Sequence, residues 1–173
     1  MVLLFILAAG SYFDVREHRI PNWLVLTGIA AGLFLSGLGT GGMGGSQAVL
    51  QEMTSFACRF LVVTAGFFIL FICRMIGAGD IKIIALICGY LGFSVGFAAV
   101  ACGFLIGAFW SLVLMTVKGC AFQRFSYFLT YFRSLLQTKK ITAYYSSVLD
   151  GYDAVIPLGL CMFLGAVLAV VFF

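Results

Sequence analysis

Long uncharged stretches constrain this chain more than any other feature of its sequence. Residues 93–117 contain no Asp, Glu, Lys or Arg, and 64% of the chain is apolar against 9% charged. A soluble domain has about 25% charged residues, so this chain lacks the polar material to cover a water-facing surface. We therefore expect an integral membrane protein. Continuous apolar runs favour helices over the alternating strands of a membrane barrel.

The runs predict an all-α fold, a polytopic membrane helix bundle of about six transmembrane helices in a single domain over residues 1–173. At about 20 residues per span, little chain remains for a soluble active site or for nucleic-acid binding. The first run lacks a basic leader region and an A-x-A site, so we interpret it as a retained helix. It and the fourth run are short, and we expect both to extend into flanking polar residues or to cross only part of the bilayer. The candidate spans are 1–13, 21–38, 56–73, 81–91, 93–117 and 155–173.

The basic residues predict the orientation of the bundle. Nine of the ten Lys and Arg residues fall in connections on one side, whereas a Gly-rich segment and both termini fall on the other side, near Arg59. Cytosolic connections of membrane proteins are enriched in Lys and Arg. We therefore expect both termini outside, the basic side in the cytosol and the lipid bilayer as the surrounding partner.

The long basic connection before the last span has apolar residues at helical spacing between residues 122 and 137. This pattern predicts an amphipathic helix on the cytosolic membrane surface. Two interpretations stay open: a membrane anchor, or a docking surface for a membrane-bound partner.

The cysteines and the histidine do not form a metal-binding pattern. The six cysteines contain no C-x-x-C pair, and most lie inside apolar runs, so we interpret them as small packing residues. The single histidine, His18, lies in a basic connection, and the chain has no H-E-x-x-H motif. We therefore expect no metal site and no cofactor.

Asp14 and Asp80 are the acids that could carry chemistry. Asp14 ends the first run in FDVREHRIPNW, Asp80 closes MIGAGDIK before the fourth, and the predicted topology places both at the cytosolic boundary. An acid near the membrane is costly and suggests function. Two close carboxylates do not both ionise easily, so one can take a proton from water while the other donates to a carbonyl oxygen. Helix capping, or pairing with a basic neighbour, is the structural alternative.

Two glycines precede the second acid. Gly77 and Gly79 flank one alanine, which leaves the backbone before Asp80 free to adopt unusual dihedral angles and to approach a neighbour or substrate closely. We predict that they form substrate-proximal backbone. Lys82 lies about 200° around a helix from Asp80, so we assign it no chemistry.

These residues resemble the motifs of type IV prepilin peptidases. DVREHRIPN at 14–22 resembles the first-aspartate motif, GAGDIK at 77–82 resembles G-x-G-D-x-K, and IPLG at 156–159 resembles the start of the family's last span, with Leu160 where a proline often follows. The resemblance implies a GxGD-type membrane aspartic protease with Asp14 and Asp80 as its catalytic pair. Such an enzyme removes the leader of prepilins, which are single-span membrane proteins, at the cytosolic boundary of the inner membrane.

The chain differs from the larger family members, which carry a cytosolic insertion with paired C-x-x-C motifs and also methylate the trimmed pilin. It has no such insertion. The resemblance therefore implies the compact form that serves Flp/Tad-type pili, without the methyltransferase activity. A preflagellin peptidase is the alternative within the same family.

Two other function classes remain open at this point. A proton-coupled small membrane transporter would use the same acids to carry protons, but it is expected to have them near the bilayer midplane, often in repeated halves. The sequence shows neither feature. A non-catalytic scaffold of a secretion complex would tolerate loss of the acids. The sequence leaves the oligomeric state undetermined.

Overall fold

The computed structural model describes residues 1–17, 19–40, 46–73, 76–117 and 157–172. Within these residues the chain is helical with short connections and has no strand, so the prediction of an all-α protein is confirmed. We number the helices in chain order: α1 Val2–Glu17, α2 Asn22–Thr40, α3 Ser46–Ile72, α4 Ala78–Val117 and α5 Leu158–Phe172.

Helix α4 reverses direction at Gly92. This residue has φ 78° and ψ 176°, a backbone conformation that is essentially restricted to glycine. A Cβ atom placed on Gly96 would lie 2.7 Å from the Cα of Cys88, whereas residues eight apart in a continuous helix are separated by about 12 Å. The two arms of α4, residues 78–91 and 93–117, therefore run back alongside each other, in agreement with the division into separate apolar runs 81–91 and 93–117 in the sequence.

The first arm of α4 lies at the centre of the bundle. Apart from Lys82, its residues from Ile81 to Cys88 are at most 4% exposed. A helix that is apolar on all sides is buried either by other helices or by lipid, and the low exposure of this arm shows that other helices bury it. Residues of α1, α3 and α5 form one buried cluster with it, and residues of α2 and α3 form a second. The main buried partners are Leu3, Leu7, Val25, Phe56, Met162 and Ala166.

Small residues allow the second arm of α4 to pack closely against α5. A Cβ atom on Gly165 would lie 2.5 Å from the carbonyl oxygen of Ala99, and one on Gly103 would lie 2.8 Å from the Sδ of Met162. Without a hydrophobic driving force between helices in lipid, close backbone packing of this kind holds membrane helices together.

The outer surface is apolar. Phe5, Phe34, Leu105 and Phe109 are each about two-thirds or more exposed. Among the described residues, two helices are long and apolar enough to cross a bilayer, Ser46–Ile72 and Ala78–Leu114, and the second includes the reversal at Gly92. These features support a helical membrane protein. The number of crossings and the side on which the termini lie stay predictions.

Several helices extend beyond the ends of the predicted spans. As expected, the two short runs extend into polar residues, because α1 continues to Glu17 and α4 begins at Ala78. α3 begins at Ser46, ten residues before the predicted start of the third span at residue 56. Its first turns, SQAVLQE, are polar but rich in helix-forming residues, which hydropathy alone does not detect.

The cysteines differ in exposure, and several other predicted features lie outside the described residues. Among the described cysteines, all are free; Cys88 and Cys161 are buried, as a packing role requires, whereas Cys58 is exposed. His18, Cys120 and the amphipathic segment 122–137 lie outside the described residues.

The packing of α5 makes a testable prediction. We expect Gly165→Ala to lower the free energy of unfolding by about 1–3 kcal/mol, because its methyl group would press on backbone atoms that cannot move aside. Gly66→Ala is the matched control: a Cβ atom at Gly66 in α3 meets nothing within 4 Å, so that variant should be neutral or slightly stabilised. Thermal unfolding in detergent measures both. Equal melting temperatures for the two variants would contradict close α4–α5 packing.

Candidate active site

Asp14 lies in the last turn of α1, where its carboxylate reaches the start of α5. The backbone N–H of Gly159 donates a hydrogen bond to its Oδ2 at 2.7 Å. The first helical hydrogen bond of α5 runs from Cys161 N–H to Pro157 oxygen at 3.3 Å, so Gly159 belongs to the turn whose N–H groups have no partner inside the helix. Asp14 therefore caps α5 from a neighbouring helix.

Gly159 has no room for a side chain. A Cβ atom there would lie 2.9 Å from Oδ2 and 3.2 Å from the Cβ of Asp14. This glycine is part of the IPLG motif, but no role was predicted for it. The available signal was its position just after Pro157, at the start of a helix predicted to begin on the same side as Asp14.

Asp80 is the third residue of α4 and faces back to the helix start. Its carboxylate accepts a backbone hydrogen bond from Gly77, and a Cβ atom on Gly77 would lie 3.0 Å from its Oδ2. The first helical bond runs from Ile81 N–H to Gly77 oxygen at 3.3 Å. An acid at the third position that reaches the N-terminal N–H is the return half of a capping box. The structural alternative of helix capping is thus present for both acids.

The structure brings Asp14 and Asp80 together. They come from different helices, and these helices contact each other one turn away from each acid, where a Cβ atom on Gly10 of α1 would lie 3.4 Å from the Cδ1 of Ile83 in α4. Each carboxylate lies at a helix N-terminus, where the unpaired N–H groups and the helix dipole favour negative charge. A pair of this kind can hold one proton between its members, so the same site can offer a base and an acid. Capping and chemistry are compatible in principle, because an ionised carboxylate has about four lone-pair sites and one capping hydrogen bond uses one of them.

The two glycines before Asp80 have different surroundings. Gly77 is exposed, whereas a Cβ atom on Gly79 would lie 3.1 Å from the Cβ of Ile20. Neither Gly77 nor Gly79 has a φ angle in the left-handed region. Among the described glycines, Gly92 has such an angle. What these positions require is therefore space rather than unusual dihedral angles.

Lys82 has a specific partner that sequence analysis missed. Its Nζ donates to the Oδ1 of Asn22, the first residue of α2, at 2.7 Å. Asn22 belongs to DVREHRIPN and Lys82 to GAGDIK, but nothing in their spacing indicates that their side chains are in contact. Within the described residues, no group of three or more His, Cys, Asp or Glu side chains is placed to hold a metal ion.

Comparison with known proteins places the sequence in a family. Residues 1–112 match the model of the type IV leader peptidase family. No curated protein and no solved structure gave a significant match. The matched residues make up more than half of the chain and include both Asp14 and Asp80. The chain therefore belongs to the type IV leader peptidase family.

Proposed function

We propose that this protein is an aspartic endopeptidase of the inner membrane that removes the leader of Flp/Tad-like prepilins at the cytosolic membrane boundary. The observation that carries the proposal is the arrangement of Asp14 and Asp80. Two carboxylates from separate helices lie within electrostatic reach of each other at the same end of the bundle. Membership of a leader peptidase family supports the reaction type.

The pair supplies the proton transfers that peptide hydrolysis needs. The ionised carboxylate takes a proton from water, and the water oxygen attacks the carbonyl carbon of the scissile bond. The protonated carboxyl donates its proton to the carbonyl oxygen. When the tetrahedral intermediate collapses, the C–N bond breaks and a proton passes to the leaving nitrogen. In this scheme neither acid bonds covalently to the substrate.

Side chains near Asp14 support a site at a membrane boundary. Tyr12 and Trp23 are each more than half exposed, and the ring of Phe13 packs edge-on against Trp23 at a centroid distance of 6.0 Å. Arg16 donates to the Tyr12 hydroxyl at 2.6 Å. Exposed Tyr and Trp residues with a nearby Arg are typical of the cytosolic interface of a bilayer. A substrate would meet the pair where its chain leaves the lipid.

This location favours a single-span substrate with a short basic leader in the cytosol. The scissile bond would lie just before the apolar segment, with a glycine on the leader side. The exposed Gly77 supports this choice, because the Asp80 carboxylate lies only 3.0 Å from the position of its missing Cβ atom. A substrate backbone without a side chain at the scissile bond can approach such a site most closely.

The acids provide the first test of the proposal. We expect Asp14→Asn and Asp80→Asn each to lower the rate of leader cleavage by about 10²–10⁴-fold, because an amide cannot exchange the proton that hydrolysis requires. Asparagine keeps the size of aspartate and can still accept a backbone hydrogen bond, so folding should be preserved. The measurement is cleavage of a purified prepilin in detergent, with thermal unfolding of each variant alongside.

Glu52→Gln is the matched control for these two variants. Glu52 is half exposed and lies 4.0 Å from the partly buried Arg59, a separation at the limit of an ion pair, so this contact contributes little to stability. The Glu52→Gln variant should therefore cleave the prepilin at close to the wild-type rate. Wild-type cleavage by either Asp variant would remove that residue from the mechanism. Proton flux that depends on the acids, without any cleavage, would favour the transporter.

The substrate glycine provides a separate test. Replacing the glycine before the scissile bond with valine should slow cleavage about 5- to 150-fold, because a branched side chain would crowd the space between the acids. Lengthening the apolar segment of the substrate at its far end should have little effect. The measurement is the cleavage rate of this substrate series with one enzyme preparation. Equal rates for glycine and valine would contradict the crowded site.

A further inference from the structure

A hydrogen bond joins the two acid-bearing motifs. Lys82, the last residue of GAGDIK, donates from Nζ to the Oδ1 of Asn22, the last residue of DVREHRIPN, at 2.7 Å. Each motif thus contains an acid and, further along, one partner of this bond. The motifs belong to different helices, so the bond connects α2 to the first turns of α4.

Lys82 is suited to connect helices rather than to act on the substrate directly. It lies two residues after Asp80, which turns it about 200° around the helix, away from the direction of that carboxylate. The residue is half-buried, so its alkyl chain packs along the bundle while the ammonium group reaches the polar end of α2. A charged donor makes a stronger hydrogen bond than a neutral one.

A second contact holds the same connection. A Cβ atom on Gly79 would lie 3.1 Å from the Cβ of Ile20, so the absence of a side chain at Gly79 allows Ile20 to lie close to the backbone of α4. Ile20 also packs against both buried clusters of the bundle. Ile20 and Asn22 are therefore held against the start of α4 at Gly79 and Lys82, which lie on either side of Asp80 in the sequence.

We propose that Lys82 is a positioning residue that, through Asn22, sets the spacing of the two carboxylates. Phe13, next to Asp14, packs edge-on against Trp23, next to Asn22, with ring centroids 6.0 Å apart. Holding Asn22 against α4 therefore restrains the position of Asp14 relative to Asp80. A displacement of about 1 Å at a catalytic group can cost about 10²-fold in rate. This inference rests on the proposed function.

The first experiment varies the lysine. Lys82→Met keeps the length of the side chain but removes the donor, and we expect its kcat to fall by up to about 10²-fold with KM nearly unchanged. Lys82→Arg keeps a donor and should retain most of the activity. Arg19→Met is the charge control, because it removes one exposed positive charge from the same end and should cleave normally. A fall in the control equal to that of Lys82→Met would overturn the proposal.

The second experiment varies the acceptor. Asn22→Ala should reduce kcat as much as Lys82→Met, and the double variant should be no worse than either, because both changes break one bond. Asn22→Asp keeps an acceptor and should remain active. If Asn22→Ala cleaves normally while Lys82→Met raises KM, Lys82 contacts the substrate and the positioning role is wrong.

A third measurement does not depend on activity. Hydrogen exchange of a peptide covering residues 14–24 should be faster in Lys82→Met and Asn22→Ala than in wild type or Lys82→Arg. Unchanged exchange, or faster exchange with normal cleavage, would overturn the positioning role. If Asp80→Asn cleaves normally, the proposed function fails, whereas the exchange result still reports whether Lys82 holds the connection.

Discussion

The candidate site depends on unpaired N–H groups at helix starts. Inside a bilayer every backbone polar group needs a partner within the protein, and the first turn of a helix leaves several N–H groups without one. Asp14 accepts such a bond from Gly159 of α5, and Asp80 accepts one from Gly77 at its own helix start. The two acids meet because α4 and α5 begin at the same level as the end of α1. The alignment of helix ends that completes the backbone hydrogen bonding is therefore also the alignment that assembles the pair.

Much of this arrangement could be predicted from the sequence because it depends on one-dimensional patterns. Hydropathy predicts an all-helical bundle, and the alternation of basic connections places Asp14 and Asp80 at one end. The reversal at Gly92 could be predicted because a glycine interrupts an apolar stretch that is too long for one crossing. The early start of α3 at Ser46 could not, since its first turns are polar and only helix propensity favours them.

The contacts between helices could not be predicted, because they depend on how far each helix is rotated and shifted along its axis. Gly159 meets Asp14, Lys82 meets Asn22, and Ile20 meets Gly79 only in one relative arrangement. No residue spacing reports that arrangement. The family match ends at residue 112, yet Gly159 lies beyond it in α5. A description limited to the matched part would give Asp14 without the N–H group that holds it.

The reversal at Gly92 leaves the first arm of α4 unusually short. Residues 78–91 rise only about 20 Å along the helix axis, whereas the hydrocarbon layer of a bilayer is about 30 Å thick. Because other helices surround this arm, the bilayer does not have to match its length, and water can instead enter a notch at one of its ends. Asp80 lies at one of those ends. A notch there would bring the aqueous phase down to the acids, so that a peptide bond could be hydrolysed while the apolar segment beside it stays in lipid.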